Sequence, residues 1–315
     1  MVIVANCCNK AVHKTCGSLK NKALIVPACK IHIGLSNTLV LIYYYCCMRP
    51  VSIPPYVRSY LTTDNSKAVL SGVKKAYGLL LKGDPEVSIV IPAYNEETTI
   101  VQTLSSLCNN ITRRSVEIVV VNNNSKDATE KLVKACGVTC LLETTQGITP
   151  ARNSGLALAK GKYILNADAD TIYPKDWIEE MIKPLANNDD VAITYGRFSF
   201  IPVGTTGRVT YFFYEYVSDL SKLYNKHFKA EAVNVYGFNS GFRREQGLQV
   251  DSFNHPPGTN EDGYLALKLN KKGFGRLYQV TSPKAIVWTT DRRIQIDGGL
   301  FKGTIKRLKR VFNLK

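Results

Sequence analysis

From Val87 onward the chain repeats one unit: a short apolar, β-branched run that ends in polar residues, followed by a stretch with helical spacing. Residues 87–91 (Val-Ser-Ile-Val-Ile) are the first run. Such continuous apolar stretches suit a strand buried on both faces, and Pro92 reads as its stop. Asn95 stands where it can cap a helix carrying Ile100, Leu104 and Leu107 on one face. Val116 to Val121 is the second run, leading into the turn-forming residues 122–125 (Asn-Asn-Asn-Ser). The next helix carries Ala128, Leu132 and Ala135 and stops at Gly137. Thr139 to Leu142 is a third run, followed by a loop through Gly147 and a helix from Ala151 to Gly161. Tyr163 to Asn166 is the fourth, directly before Asp168-Ala169-Asp170. Pro174 then opens a helix with Trp177, Ile178, Met181, Ile182 and Leu185 on one side.

Alternation this tight predicts an α/β fold, a Rossmann-like, mostly parallel sheet flanked by helices. Ligands of such sheets bind outside the carboxyl ends of the strands. Tyr94, Glu96, Asn122 to Asn124, Asp168 and Asp170 all fall there. After Val191 the alternation loosens. Within the aromatic stretch 209–228, Phe212, Tyr216, Leu220 and Leu223 form a stripe at helical spacing. Core packing is the default reading of that stripe, and a lipid- or partner-facing surface is the alternative.

The flanks differ from this body. No Asp or Glu precedes Asp64, so the first 47 residues contribute five lysines and no acid to a formal charge of +16, which is +11 without them. Their longest apolar run, Leu39 to Met48, is half of what a membrane-spanning helix needs. We read residues 1–47 as a non-native extension upstream of a start at Met48, with a weak membrane anchor as the alternative. Residues 48–85 are a lead-in, 86–293 the main domain (a nucleotide half, 86–190, and an acceptor half, 191–293), and 294–315 a basic tail. In the tail Ile305, Leu308 and Phe312 alternate with Lys306, Arg307, Lys309 and Arg310, a pattern for a membrane-surface or a solvated helix. Six of the nine cysteines lie in the first 47 residues, which argues for a reduced, cytosolic body. Cys136 and Cys140 lack a second ligand pair and read as small hydrophobes rather than a zinc site.

The strongly basic balance favours acidic partners: phosphorylated substrates, an anionic membrane or nucleic acid. The chemistry narrows this. Asp168 and Asp170 are alternate residues at a strand end, so both carboxylates can face one ligand. Two hard oxygen donors there suit Mg²⁺ or Mn²⁺ beside a nucleotide's phosphates.

Six stretches in order and spacing carry a family resemblance: 87–97 (Val-Ser-Ile-Val-Ile-Pro-Ala-Tyr-Asn-Glu-Glu), 119–127 (Val-Val-Val-Asn-Asn-Asn-Ser-Lys-Asp), 150–156 (Pro-Ala-Arg-Asn-Ser-Gly-Leu), 167–170 (Ala-Asp-Ala-Asp), 237–244 (Gly-Phe-Asn-Ser-Gly-Phe-Arg-Arg) and 260–269 (Asn-Glu-Asp-Gly-Tyr-Leu-Ala-Leu-Lys-Leu). Together they resemble glycosyltransferase family 2, with its GT-A fold. The resemblance implies a sugar moved from a nucleoside-diphosphate donor to a hydroxyl of a saccharide or lipid-linked acceptor, with inversion, in cell-envelope or exopolysaccharide synthesis. It further implies a Mn²⁺ or Mg²⁺ cofactor and a cytoplasmic enzyme with peripheral contact to an anionic membrane. Nucleic acid is not an expected partner. Residue by residue, Pro92, Ala93, Tyr94 and Glu96 would line the nucleoside pocket with Asn122 and Asn124, Asn122 standing where the family has an Asp. Arg152 would face the nucleotide, Asp168 the ribose and metal, and Asp170 would be the principal metal ligand. Asp262, ahead of Glu261, would be the base that takes the acceptor's proton. The bland reading of that pair is the cap of a helix beginning near Gly263. The family's late metal-binding His is absent from 287–293, where Arg292 and Arg293 offer either diphosphate contacts or salt bridges. The Q-x-x-R-W signature of processive synthases is also absent, which implies single-sugar transfer. His227 and His255 receive no role. A nucleotidyltransferase, or an inactive protein that binds nucleotides or anionic polymers, is the competing reading.

Overall fold

The structure is a computed structural model that describes residues 49–296 and Gly299. The readings of residues 1–47, of a start at Met48 and of the 302–315 segment fall outside the described residues. Described residues belong to one compact unit beginning at residue 45.

The first half follows the sequence pattern closely. Two helices, α1 (Pro55–Leu61) and α2 (Lys67–Leu80), precede the sheet. They are more than a lead-in. Val73, Tyr77 and Leu80 sit in the main core, and the Ile118 amide donates to the Tyr77 hydroxyl at 3.2 Å. Then come β1 (Val87–Ala93), α3 (Ile100–Cys108), β2 (Val116–Asn122), α4 (Thr129–Ala135), β3 (Thr139–Leu142), α5 (Ile148–Leu158), β4 (Tyr163–Asn166), β5 (Thr171–Ile172) and α6 (Trp177–Asn187). β1 pairs in parallel with both β2 and β4, and β2 with β3. Cys108 and Cys136 are buried free thiols and Cys140 is half-buried, in keeping with their reading as apolar filler.

Three boundaries move for identifiable reasons. Pro92 does not end β1, which pairs with β2 as far as Ala93 opposite Asn122. The β1–β4 ladder stops at Val90, and Val90 and Pro92 share that side, so the missing N–H falls where no partner strand requires it. Asn95 caps nothing. Its φ is 54°, its side chain accepts from the Lys126 amide at 2.8 Å, and α3 starts five residues later behind Thr99. α5 begins at Ile148 rather than Ala151, and α6 begins at Trp177, one turn past Pro174.

The second half adds β6 (Val191–Tyr195), β7 (Phe198–Ile201), α7 (Arg208–Phe228), β8 (Ser240–Arg243), α8 (Arg244–Gln249), α9 (Glu261–Lys271), β9 (Arg276–Gln279), β10 (Val287–Thr290) and α10 (Arg292–Ile296). The main sheet has the order β3-β2-β1-β4-β8-β6-β9, with β8 antiparallel to both neighbours, and β5-β10-β7 form a small second sheet. The fold is therefore the mostly parallel α/β sheet that the alternation predicts, extended in its second half by an antiparallel strand and a small second sheet.

The aromatic stretch overturns its default reading. α7 buries Tyr211, Glu215, Asp219 and Lys222, while Leu220 and Leu223 are exposed and Phe212 and Tyr216 only half-buried. Beyond Tyr211, which packs on Phe200, the buried side is held by ions. Arg49 donates to Asp219 at 2.7 Å through Nε and again through Nη2, and to Glu215 at 3.1 Å; Arg197 reaches Asp219 at 2.8 Å, and Arg208 grips Glu215 twice at 2.9 Å.

Candidate active site

Four loops converge at the carboxyl ends of β1, β2 and β4. After β1, Tyr94 is half exposed and Glu96 is buried. After β2, the asparagines have work within the loop. Asn122 accepts from the Ser125 amide at 3.0 Å and donates to Glu130 at 3.3 Å, so both ends of its amide have partners. Asn123, placed with its neighbours at the strand ends by the sequence but given no role there, donates to the carbonyls of Glu143 and Thr145 and accepts from the Gly147 amide at 2.8 Å, tying this loop to the start of α5. Asn124 takes the left-handed conformation, φ 66°, and accepts from Lys126 at 3.0 Å. Pro92 and Ala93 lie at the end of β1, under this loop: the Ala93 carbonyl accepts from the Asn123 amide at 2.8 Å.

Arg152, on α5, is the hinge of the site. It is 1% exposed. Nη2 donates to Asp168 at 3.0 Å, and Nε lies 3.4 Å from Asp262 Oδ1. One guanidinium thus bridges the loop after β4 to the start of α9. Burial alone would favour its neutral form, but Asp262 and then Asp168 outweigh that and raise its proton affinity. The floor beneath is fixed by Tyr173, whose hydroxyl accepts from the Asp168 amide at 2.9 Å and donates to the Phe238 carbonyl at 3.1 Å. Gly237 completes the contact: a Cβ there would overlap both the Arg152 guanidinium and the Asp262 carboxylate. The sequence contained Gly237 in a family stretch but no signal of this close approach.

Asp262 and Glu261 open α9. Neither caps it: Asn260 does, accepting from the Gly263 amide at 2.8 Å, so the helix starts two residues earlier than expected and leaves both carboxylates free of that duty. Glu261 is half-buried; Asp262 is 4% exposed. Its Oδ1 is a buried oxygen with no hydrogen-bond donor among the described residues. Burial pushes the Asp262 carboxyl up to about 7, Arg152 opposes the rise, and Glu261 and Asp168 add to it. Burial raises Asp168 as well, against the pull of Arg152.

Asp170 lies across from these groups. Thr290 donates to it at 2.9 Å, and Arg292 stands 3.4 Å from the same oxygen while donating to Glu96 Oε2 at 3.1 Å and pairing with Glu96 Oε1. Of the two readings of Arg292, the salt bridge is the one present. Asp168 and Asp170 supply carboxylate oxygen, each with a guanidinium beside it (Arg152 at 3.0 Å, Arg292 at 3.4 Å), and no group of three or more His, Cys, Asp or Glu side chains gathers among the described residues. Two partly exposed carboxylates fit a hard divalent cation that takes the rest of its shell from water and phosphate. His255 is apart, bonded to Thr149 at 3.1 Å, and His227 is exposed on α7.

Comparison with known proteins agrees with this geometry. The glycosyltransferase GlyA of Streptococcus pneumoniae is 24% identical over 202 residues, covering 59% of this chain and 28% of that protein. An uncharacterized glycosyltransferase of Haemophilus influenzae is 34% identical over 113 residues, covering 34% of this chain and 35% of the other. The chain thus spans about a third of the length of these curated relatives. Among solved structures, Staphylococcus aureus TarS 1-349 in complex with UDP superimposes with a TM-score of 0.50 at 18% identity, over 65% of this chain and 60% of that one, a likeness of fold. The sequence pattern of glycosyl transferase family 2 matches residues 88–246, just over half of the chain, from the first strand to the helix after β8. With the strand order, the paired aspartates and the acidic pair in place, the chain belongs to glycosyl transferase family 2.

Proposed function

We propose that this protein transfers a sugar from a nucleoside-diphosphate donor to an acceptor hydroxyl with inversion at the anomeric carbon. The observation that carries the reading is Arg152, which places a donor-side carboxylate, Asp168, and a buried acceptor-side carboxylate, Asp262, on one guanidinium. Asp262 is the base. A carboxyl held near 7 is a far better proton acceptor than an ordinary one and is still about half ionised at neutral pH. It takes the acceptor's proton as the hydroxyl attacks, and direct displacement by one base gives inversion. Glu261 beside it keeps the local field negative and so sustains that basicity. Asp170 and Asp168 would hold Mn²⁺ or Mg²⁺, which as a Lewis acid offsets the charge of the departing diphosphate. Pro92, Ala93, Tyr94 and Glu96 form one wall of the nucleoside pocket. Asn122 and Asn124 shape the opposite loop, because their amides have protein partners.

A saccharide or lipid-linked acceptor, a role in cell-envelope or exopolysaccharide assembly, and peripheral seating on the inner face of an anionic membrane complete the proposal. The GlyA relative and the TarS structure, solved also with UDP-GlcNAc, support a nucleotide-sugar donor. No described helix is long and apolar enough to cross a membrane. A thermal-shift screen of sugar nucleotides with and without Mn²⁺ tests the reading. One donor should stabilise the protein in a metal-dependent way, and Asp170→Ala should abolish the effect. No stabilisation by any donor at millimolar concentration overturns it.

A further inference from the structure

We infer that the outer face of α7 is the surface by which this protein inserts into an anionic lipid bilayer. The helix is 21 residues long, about 32 Å at 1.5 Å per residue. Val209, Phe213, Val217, Leu220, Tyr224 and Phe228 succeed one another at spacings of three and four, so they line one face from end to end. All six are 51 to 75% exposed. On a soluble helix that face would be polar. Here the charges are on the other side: Glu215 and Asp219 are buried against Arg49, Arg197 and Arg208, and Lys222 is buried over the rings of Phe198 and Tyr236. The arrangement is that of an interfacial helix whose charged face is turned into the protein and whose apolar face is left for hydrocarbon.

Charge selects the occupant. Both acids of α7 are buried, so the helix itself exposes no negative group, and Lys226, His227 and Lys229 are exposed at its C-terminal end, Lys226 lying 3.4 Å from Glu231 just past the helix. At its N-terminal end Gln295 of α10 packs against Gly204 and donates to Tyr211 at 3.4 Å, so the chain leaves the described fold beside α7 through the exposed Ile296. The sequence that follows, 297–315, contains Lys302, Lys306, Arg307, Lys309, Arg310 and Lys315 against one acid, Asp297. A second copy would bring another +16 against this charge, whereas anionic headgroups complement it. The inference names the contact surface for the peripheral seating proposed above and in that clause rests on it. Lipid binding is read without donor or acceptor, so its failure leaves the transfer reading untouched.

The test is flotation of the full chain with vesicles of phosphatidylcholine alone and of phosphatidylcholine with phosphatidylglycerol. The wild type should float with the anionic vesicles only. The triple variant Phe213→Ser, Leu220→Ser, Phe228→Ser, which retains the basic tail and changes only exposed side chains, should bind at least about a hundredfold more weakly, each lost side chain forfeiting roughly a tenfold factor. Binding within about twofold of wild type overturns the inference. A second reporter does not depend on weakening anything. Trp177 and Trp288 are buried, so Phe213→Trp adds an exposed indole. Its emission should shift to the blue on anionic vesicles and be quenched by brominated acyl chains. Flotation without that shift means that the tail alone binds and refutes insertion of α7. A dimer seen by light scattering without lipid and lost in the triple variant refutes it too, because the face then belongs to a second copy.

Discussion

Replacing Asp262 by Asn tests the charge state of the central carboxylate and its role together. In an unfolded chain this carboxyl titrates near the ordinary value of about 3.9, and in the fold it is pushed up to about 7. Between those values the folded protein holds a proton that the unfolded chain has released. Stability is therefore fully present below about pH 4, falls as pH rises towards 7, and levels off above it. At about 1.4 kcal/mol per tenfold, the charge on Asp262 costs the fold on the order of 4 kcal/mol at pH 8. Asn has the same shape and carries no proton to lose, and Arg152 keeps Asp168 at 3.0 Å. The variant should match the wild type at or below about pH 4, exceed it by about 1.5 kcal/mol at pH 5 and by up to about 4 kcal/mol at pH 8, while transfer drops by roughly 10²- to 10⁴-fold. Urea unfolding at pH 4, 5, 6, 7 and 8, with the difference between the two proteins plotted against pH, cancels the titrating groups that do not interact with Asp262. A difference that does not change with pH refutes the raised carboxyl, and a variant that transfers at wild-type rate refutes Asp262 as base.

Three further substitutions probe the surrounding machinery. Gly237→Ala drives a methyl into Arg152 and Asp262, so transfer should fall more than tenfold with donor binding by calorimetry less affected; unchanged turnover would contradict the close approach. Arg292→Ala removes the cation paired with Glu96 and close to Asp170, and should tighten Mn²⁺ binding to the donor-free protein several-fold by calorimetry or electron spin resonance; weaker binding would mean that Arg292 positions Asp170 instead. Glu215→Gln leaves Arg49 and Arg208 short of a buried counter-charge and should cost about 3 kcal/mol in urea unfolding; a neutral result would argue that the ionic seam beneath α7 is open to water.

The first four strands were legible because each is a short apolar run, and burial on both faces is what such a run is for. Pro92 misled because its cost depends on whether a partner strand needs its N–H, and that is a property of the ladder. Helix starts were misplaced wherever a turn intervened, as at Asn95 and Pro174. The error at α7 is more instructive. Periodicity reveals that a helix has two unlike faces, but the core chooses between them, and this core offers Arg49 and Arg197 from outside the helix, beside α7's own Arg208. In the site, Asp168 and Asp170 could be read from their place after the fourth strand, and Glu261 and Asp262 from the family resemblance. The roles of Arg152 as a bridge, Gly237 as the gap it needs and Asn123 as the loop's tie arise from contacts between stretches dozens of residues apart.

Those contacts explain why the stretches 150–156, 167–170, 237–244 and 260–269 occur together. Arg152 can reach both Asp168 and Asp262 only while residue 237 lacks a side chain, and the Phe238 carbonyl is bound by the same Tyr173 hydroxyl that accepts from the Asp168 amide. Moving any one of the four displaces a buried charge from its partner, at a cost of several kcal/mol. Asp262 is thus held in register with Asp168 by electrostatics within the core, because a single guanidinium belongs to both.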